Sequence, residues 1–271
     1  MTNGLQPIYN QEHESFFASL DHSEFLYDSK ITYGFLNHFK RWIESSKNNS
    51  ITGLEDFNVI KFANGSVQIF DHFYLKYHNK RFRFFQNEFM YHEAVLKHGL
   101  KFEIIEHDLI NSYDAFIVSM PFTRLGVVHP KLYDILEQCE LLNVPVLLDF
   151  CHLPVSKNVF IDLKKYSCIE TLAFSFSKML WGAEHLRIGV RLQKEDCDDG
   201  IDVFNSVGML NRISLGFAKK IIDHFELDYN WKTYEQIYMT YCKNHDLIPT
   251  DNILYAMNEN ERVVIAGKLK L

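Results

Sequence analysis

The stretch around Lys178 has the residue types and spacing of a reaction centre. The lysine stands in Ser175-Phe176-Ser177-Lys178, and Gly182 and Leu186-Arg187-Ile188-Gly189 follow. An amine just beyond an apolar run, flanked by hydroxyls and followed by a guanidinium, suits a phosphorylated aldehyde. The amine condenses with the carbonyl, while hydroxyls and guanidinium hold the phosphate dianion. The plain alternative is a surface lysine after a strand. A second anion-binding pattern lies upstream, in Ala63-Asn64-Gly65-Ser66-Val67-Gln68, between an apolar run and an amphipathic stretch. Free N–H groups at a helix start attract anions. Gly65, Ser66 and Val67 are therefore candidates through their backbone amides and the Ser66 hydroxyl. Gly-Ser also begins helices that bind nothing.

These motifs resemble those of the fold-type I enzymes that use pyridoxal 5′-phosphate (PLP), particularly class I/II aminotransferases and their acyltransferase relatives. The stretch SFSKMLWGAEHLRIG looks like their lysine signature, and the resemblance covers roughly residues 50–192. It implies a Schiff base on Lys178 and phosphate contacts from Ser66, Ser175, Ser177 and Arg187. One departure is the nine-residue step from Lys178 to Arg187, one longer than the family's usual spacing. In Val146-Leu147-Leu148-Asp149-Phe150-Cys151-His152, Asp149 precedes the lysine by 29 residues. PLP withdraws electrons only while its pyridine nitrogen stays protonated, and a buried carboxylate beside that nitrogen keeps it so. Asp149 is similar to that aspartate, and His152 takes the position that meets the ring hydroxyl. The bland readings are a helix cap and a structural histidine.

The resemblance extends to three further segments. In Asn87-Glu88-Phe89-Met90-Tyr91-His92, Phe89 aligns best with the ring that stacks on the pyridine, and Tyr91 second. Pro121-Phe122-Thr123-Arg124-Leu125-Gly126 resembles the PxNPTG loop, with Thr123 where an asparagine bonds the cofactor hydroxyl and Arg124 on the adjoining substrate surface. A threonine is shorter and has no amide to donate, so His152 stands as the replacement. Glu261-Arg262-Val263-Val264-Ile265-Ala266-Gly267 resembles the segment whose arginine clamps the substrate carboxylate, a contact that suits a forked guanidinium. Arg262 also reads as a surface residue on an edge strand.

Such a site needs elements that bring distant segments to one edge. Short β-branched or aromatic runs at 59–62, 81–85, 102–106, 115–119, 146–150, 171–174 and 187–192 alternate with amphipathic stretches at about 66–78, 89–98, 130–142 and 212–226. Strands alternating with helices predict an α/β fold, a three-layer α/β/α arrangement around a mainly parallel, seven-stranded sheet. Buried parallel strands are apolar throughout, as VPVLLDF is. Ligands of such sheets bind beyond the carboxyl ends of the strands, where Gly65-Ser66, Pro121 to Gly126, Asp149 with His152, and Ser175 to Lys178 all fall. Residues 1–228 then form the large domain with an N-terminal arm. Residues 229–271 form a reduced C-terminal subdomain, shorter than the family's.

Composition sets the outer bounds. The chain has 271 residues, 47% hydrophobic and 23% charged, ordinary for one packed α/β domain with an appendage. Its formal net charge of −7 argues against a nucleic-acid surface, despite the basic aromatic stretch at 76–83. Thirteen histidines include no HExxH or paired metal spacing, so no metal is indicated. The five cysteines form no CxxC pair, and no apolar run nears the roughly 18 residues that cross a bilayer. A cytoplasmic location without membrane contact is the expectation. The resemblance implies a homodimeric aminotransferase that uses PLP with a small amino donor and a keto acid. An acyltransferase of the α-oxoamine synthase type and a non-catalytic binding subunit are the alternatives.

Overall fold

A computed structural model describes residues 5–28, 30–259 and 261–269. Seven strands form the central sheet: β1 (Val59–Ala63), β2 (Arg81–Phe84), β3 (Phe102–Ile104), β4 (Asp114–Ser119), β5 (Val146–Asp149), β6 (Ile169–Ser175) and β7 (Gly189–Gln193). Their order is β1-β7-β6-β5-β4-β2-β3. All the pairings are parallel except those of β7, which is antiparallel to both neighbours. The loop from Ser175 to Gly189 holds no α-helix, and a parallel return needs a crossover of a dozen or more residues, usually helical. The chain therefore comes back beside β6 in the opposite sense.

Every residue of β4 and β5 is buried, as a sheet covered on both faces requires. Side chains alternate between two cores. Ala115, Ile117, Leu147 and Ala173 face α4 (Ser66–Lys76), α5 (Tyr91–Leu96) and Ile201 of α7 (Gly200–Ser206). Phe116, Val118, Leu148 and Phe174 lie in the opposite cluster, with α3 (Ile31–Glu44), α6 (Leu132–Leu142) and α8 (Arg212–His224). This is the three-layer mainly parallel arrangement, with all seven strands where the apolar runs placed them. Boundaries shift by one or two residues. Residues 105–107 turn into a short 3₁₀ segment, and β7 starts only at Gly189 because Arg187 adopts a left-handed φ of 51°.

Three N-terminal helices, α1 (Gln11–Ala18), α2 (His22–Tyr27) and α3, precede the sheet. Trp42 of α3 donates to the Phe225 carbonyl at 2.8 Å, and so ties α3 to the end of α8. After α9 (Tyr229–Asn244) come the short strands β8 (Ile248–Pro249), β9 (Tyr255–Asn258) and β10 (Glu261–Val264), joined antiparallel in that order. Trp231, Tyr234, Tyr238, Leu254 and Tyr255 form their own core, joined by Ile8 and Val155. A separate parallel pair links residues Ser50–Thr52 with Phe160–Asp162. Among the described residues no helix is long and apolar enough to cross a membrane.

Candidate active site

Sheet register gathers the polar residues. Gly189 pairs with Ala63 on one side and Ser175 on the other, while Asp149 pairs with Ala173 and Ser119. With strands about 4.8 Å apart, the ends of β1, β6, β5 and β4 form one continuous rim.

At the β1 end, Gly65 has φ 83° and ψ 167°, a conformation only glycine adopts comfortably. A Cβ there would meet Arg187 Nη2 at 2.7 Å, and one on Gly189 would meet the Gly65 carbonyl carbon at 2.6 Å. The turn is thus pressed onto Gly189, with the Arg187 guanidinium over it and the N-terminus of α4 opening from Ser66. Ser66 and Val67 enter through this first turn. Across β7, Ser177 N–H donates to Ser175 Oγ at 3.2 Å and the two hydroxyls are 3.1 Å apart. Arg187, nine residues after Lys178, stands in a left-handed turn with φ 51°.

Asp149 is buried at the end of β5. Its Oδ1 accepts from the Cys151 N–H at 2.9 Å. Burial raises its carboxyl to about 6, opposed by bonds from Cys151 and Ser119 and by the charge of Lys178. Lys178 feels the reverse: burial lowers its ammonium, the charge at Cys151 and Glu184 favours it, and Arg187 and Arg262 disfavour it. Both groups are thereby moved toward neutrality. The Lys178 Nζ donates to the Leu5 carbonyl, so the N-terminal segment covers the lysine. His152, also buried, is lowered to about 3 by desolvation, with Lys178 and Arg262 adding repulsion.

The remaining sequence candidates converge on the same rim. Phe89 keeps 39% of its surface exposed and rests against the rings of Phe70, Tyr91 and His92. Thr123 points its hydroxyl at Glu88 Oε1, 3.4 Å away, and its carbonyl accepts from Tyr255 OH at 2.7 Å and Arg262 Nη1 at 3.0 Å. Arg262 lies over the Tyr255 ring, 5.3 Å from its centroid. Arg124, half-buried, comes next in the same loop.

Solved structures share this fold. A PLP-bound putative aminotransferase from Clostridium difficile superposes with a TM-score of 0.67 at 12% identity, over 94% of this chain and 77% of its own. The chain has the aminotransferase-like PLP-transferase fold. Valine–pyruvate aminotransferase from Salmonella typhimurium gives 0.65 at 14% identity, over 96% and 76% of the two chains. Aspartate aminotransferase from Thermotoga maritima gives 0.63 at 13%, over 94% and 75%. No family model and no curated protein matches the sequence.

The residues on this aminotransferase-like frame fit a phosphorylated aldehyde with a basic ring nitrogen. Gly65 and Gly189 leave a cradle that a Cβ would fill, Arg187 brings a cation to it, and a buried acid and a half-buried amine stand farther along the rim. Gly65→Ala should test the cradle. The glycine-only conformation costs an alanine about 1–3 kcal/mol, and the new methyl displaces Arg187. The melting temperature should fall and the dissociation constant for PLP rise at least about tenfold, given the strength of a charge-assisted bond. Unchanged values in both would remove Arg187 from the anion site.

Sequence reasoning passed over several residues here. Glu88 is buried between Ser119, which donates through N–H at 2.9 Å and hydroxyl at 2.5 Å, and the Phe89 N–H at 2.9 Å. Burial pushes Glu88 up to about 7, against those donors and with Asp149 adding repulsion. Cys151, whose N–H donates to Asp149, and Asn252 and Tyr255 also belong to the rim. Cys151 and Glu88 are each close in sequence to a candidate residue, a local signal that was available. Asn252 and Tyr255 had none, because a 100-residue step separates Asn252 from His152.

Proposed function

We propose that this protein is a PLP-dependent transferase of the aminotransferase kind, acting on an amino acid or related amine with a keto acid as acceptor, and joined to its cofactor through Lys178. The observation that carries the reading is that Asp149, at the end of β5, and Lys178, in the loop leaving the neighbouring strand β6, stand at one edge of the sheet. Lys178 is a half-buried amine that burial moves toward its nucleophilic neutral form, and Asp149 a buried carboxyl that burial raises. When bound, PLP supplies an aldehyde for amines and a protonated ring that draws electron density from the substrate Cα. Asp149 holds the proton on the ring nitrogen, and Phe89 stacks on the ring. Gly65, Ser66 and Val67, with Ser175, Ser177 and Arg187, bind the phosphate. His152 bonds the ring oxygen, in place of the amide that Thr123 lacks. Lys178 Nζ would take a proton from the substrate Cα and return one on the other side of the transferred nitrogen. Arg262 and Arg124 orient the substrate carboxylate, and residues 229–271, which carry Arg262, serve as the reduced C-terminal subdomain. The resemblance extends the proposal to a homodimer.

A second reading has one specific observation behind it. The Leu5 carbonyl occupies the Lys178 ammonium, as it would in a family member that no longer turns over and serves as a binding subunit. The solved structures of like fold also include L-threonine-O-3-phosphate decarboxylase from Porphyromonas gingivalis, so the fold alone does not select transamination or exclude acyl transfer. Mixing the protein with PLP and then with a panel of amino donors separates these. The transferase reading expects a yellow protein that an amino donor bleaches and a keto acid restores. A protein that takes up no PLP would favour the binding subunit.

A further inference from the structure

Asn252 stands in the loop between β8 and β9, fully buried, and its amide has a single permissible orientation. Its Oδ1 faces the Leu254 N–H at 3.0 Å, and a backbone N–H can only donate. The other end, Nδ2, therefore lies 2.8 Å from His152 Nδ1 and 3.2 Å from Ser156 Oγ. Ser156 spends its proton on the His152 carbonyl, 2.7 Å away, and so has only a lone pair to offer the amide. All three contacts demand the same assignment. An amide nitrogen cannot accept, so His152 Nδ1 must accept and carries no proton. The ring also stays uncharged. Burial, the cations of Lys178 and Arg262, and the edge-on Tyr255 ring 6.5 Å away all disfavour imidazolium or offer it nothing. A neutral ring without a proton on Nδ1 carries it on Nε2.

We infer that Asn252 is a positioning residue that fixes His152 as an Nε2–H donor for an acceptor oxygen in the site. Resting on the functional reading above, that oxygen is the ring oxygen of PLP, and the donor replaces what Thr123 cannot give. The loop that carries Asn252 is itself pinned to the segment after β5, since Ile253 N–H donates to the Val155 carbonyl at 3.0 Å and Ser156 bridges Asn252. The C-terminal segment thus sets the chemistry of a residue on the sheet rim without touching the reacting atoms.

The test is ¹⁵N NMR of the His152 ring in the protein without cofactor, assigned by its loss in His152→Gln, together with PLP affinity. The wild type should show the Nε2–H tautomer at neutral pH. Asn252→Asp, nearly isosteric, replaces a donor by an acceptor. It should move the ring proton to Nδ1, raise the imidazole pKa and weaken PLP binding about tenfold, the scale of one lost charge-assisted bond. A wild-type ring protonated on Nδ1, or one charged at neutral pH, overturns the inference whether or not Asn252→Asp folds. An unmoved tautomer in a folded Asn252→Asp overturns it as well. A wild type with the Nε2–H tautomer that takes up no PLP supports the positioning and sinks the functional reading instead.

Discussion

Lys178→Ala is expected to leave the fold intact and end the reaction. The residue is half-buried in the loop between β6 and β7, outside both sheet-face cores, so a methyl there opens no cavity in packed hydrophobic structure. Two losses combine. Without the amine there is no covalent attachment, so borohydride treatment of the protein with PLP should leave no added mass on the peptide that spans residue 178. Without the same amine there is no base for the Cα proton, and a positioned general base contributes about 10²–10⁴ in rate. Turnover should fall by at least about that factor while the melting temperature stays near the wild-type value. A variant that still acquires the reduced adduct elsewhere and turns over at wild-type rate would remove Lys178 from the mechanism.

Asp149→Asn should change stability and cofactor binding in opposite directions. The carboxyl of Asp149 is raised from 3.8 to about 6 by burial, so the folded state holds its proton more tightly than the unfolded chain does. The associated stability is fully present below about pH 4 and is lost as pH rises through about 6. Above that the cofactor-free protein carries a buried carboxylate that costs about 3 kcal/mol, taking about 1.4 kcal/mol per pH unit. Glu88, raised from 4.5 to about 7, adds a loss of the same sign. The wild type without PLP should therefore weaken between pH 5 and 8 in urea unfolding, and Asp149→Asn should be the more stable protein at pH 8. A protonated ring nitrogen reverses the balance, because it gives the buried carboxylate its counter-charge. Asparagine cannot, so PLP affinity should drop by about two orders of magnitude, the scale of a charged hydrogen bond lost in a buried site. Equal PLP affinity in the two proteins, or a variant less stable at pH 8, would contradict this account.

The central strands β4 and β5 were readable because a buried parallel strand has to be apolar along its length, as Val146 to Leu148 are, and the others as short β-branched or aromatic runs. Helices α4 and α6 were readable from their amphipathic period. Helices α1 to α3 were not, since they hold no motif and come after no strand that would announce them. The rim positions of Asp149, Ser175 and Lys178 came from one rule about strand ends, which needs no knowledge of which strands are neighbours.

By itself, then, the sequence determined the strand and helix alternation, the residues that end each strand, and the chemical inventory of amine, carboxylate, hydroxyls and guanidinium. Those are local properties, set by periodicity and by the residue types at the end of each apolar run. The tertiary structure decided which of these groups meet. Only the register of β1, β7 and β6 presses Gly65 onto Gly189 beneath Arg187. Burial, with repulsion from Asp149, makes Glu88 a second raised acid, and long-range folding alone carries Asn252 and Arg262 to His152 and Thr123. The physical reason is that desolvation, tautomer choice and steric cradles depend on atoms from several segments at once, and no one-dimensional spacing encodes their distance.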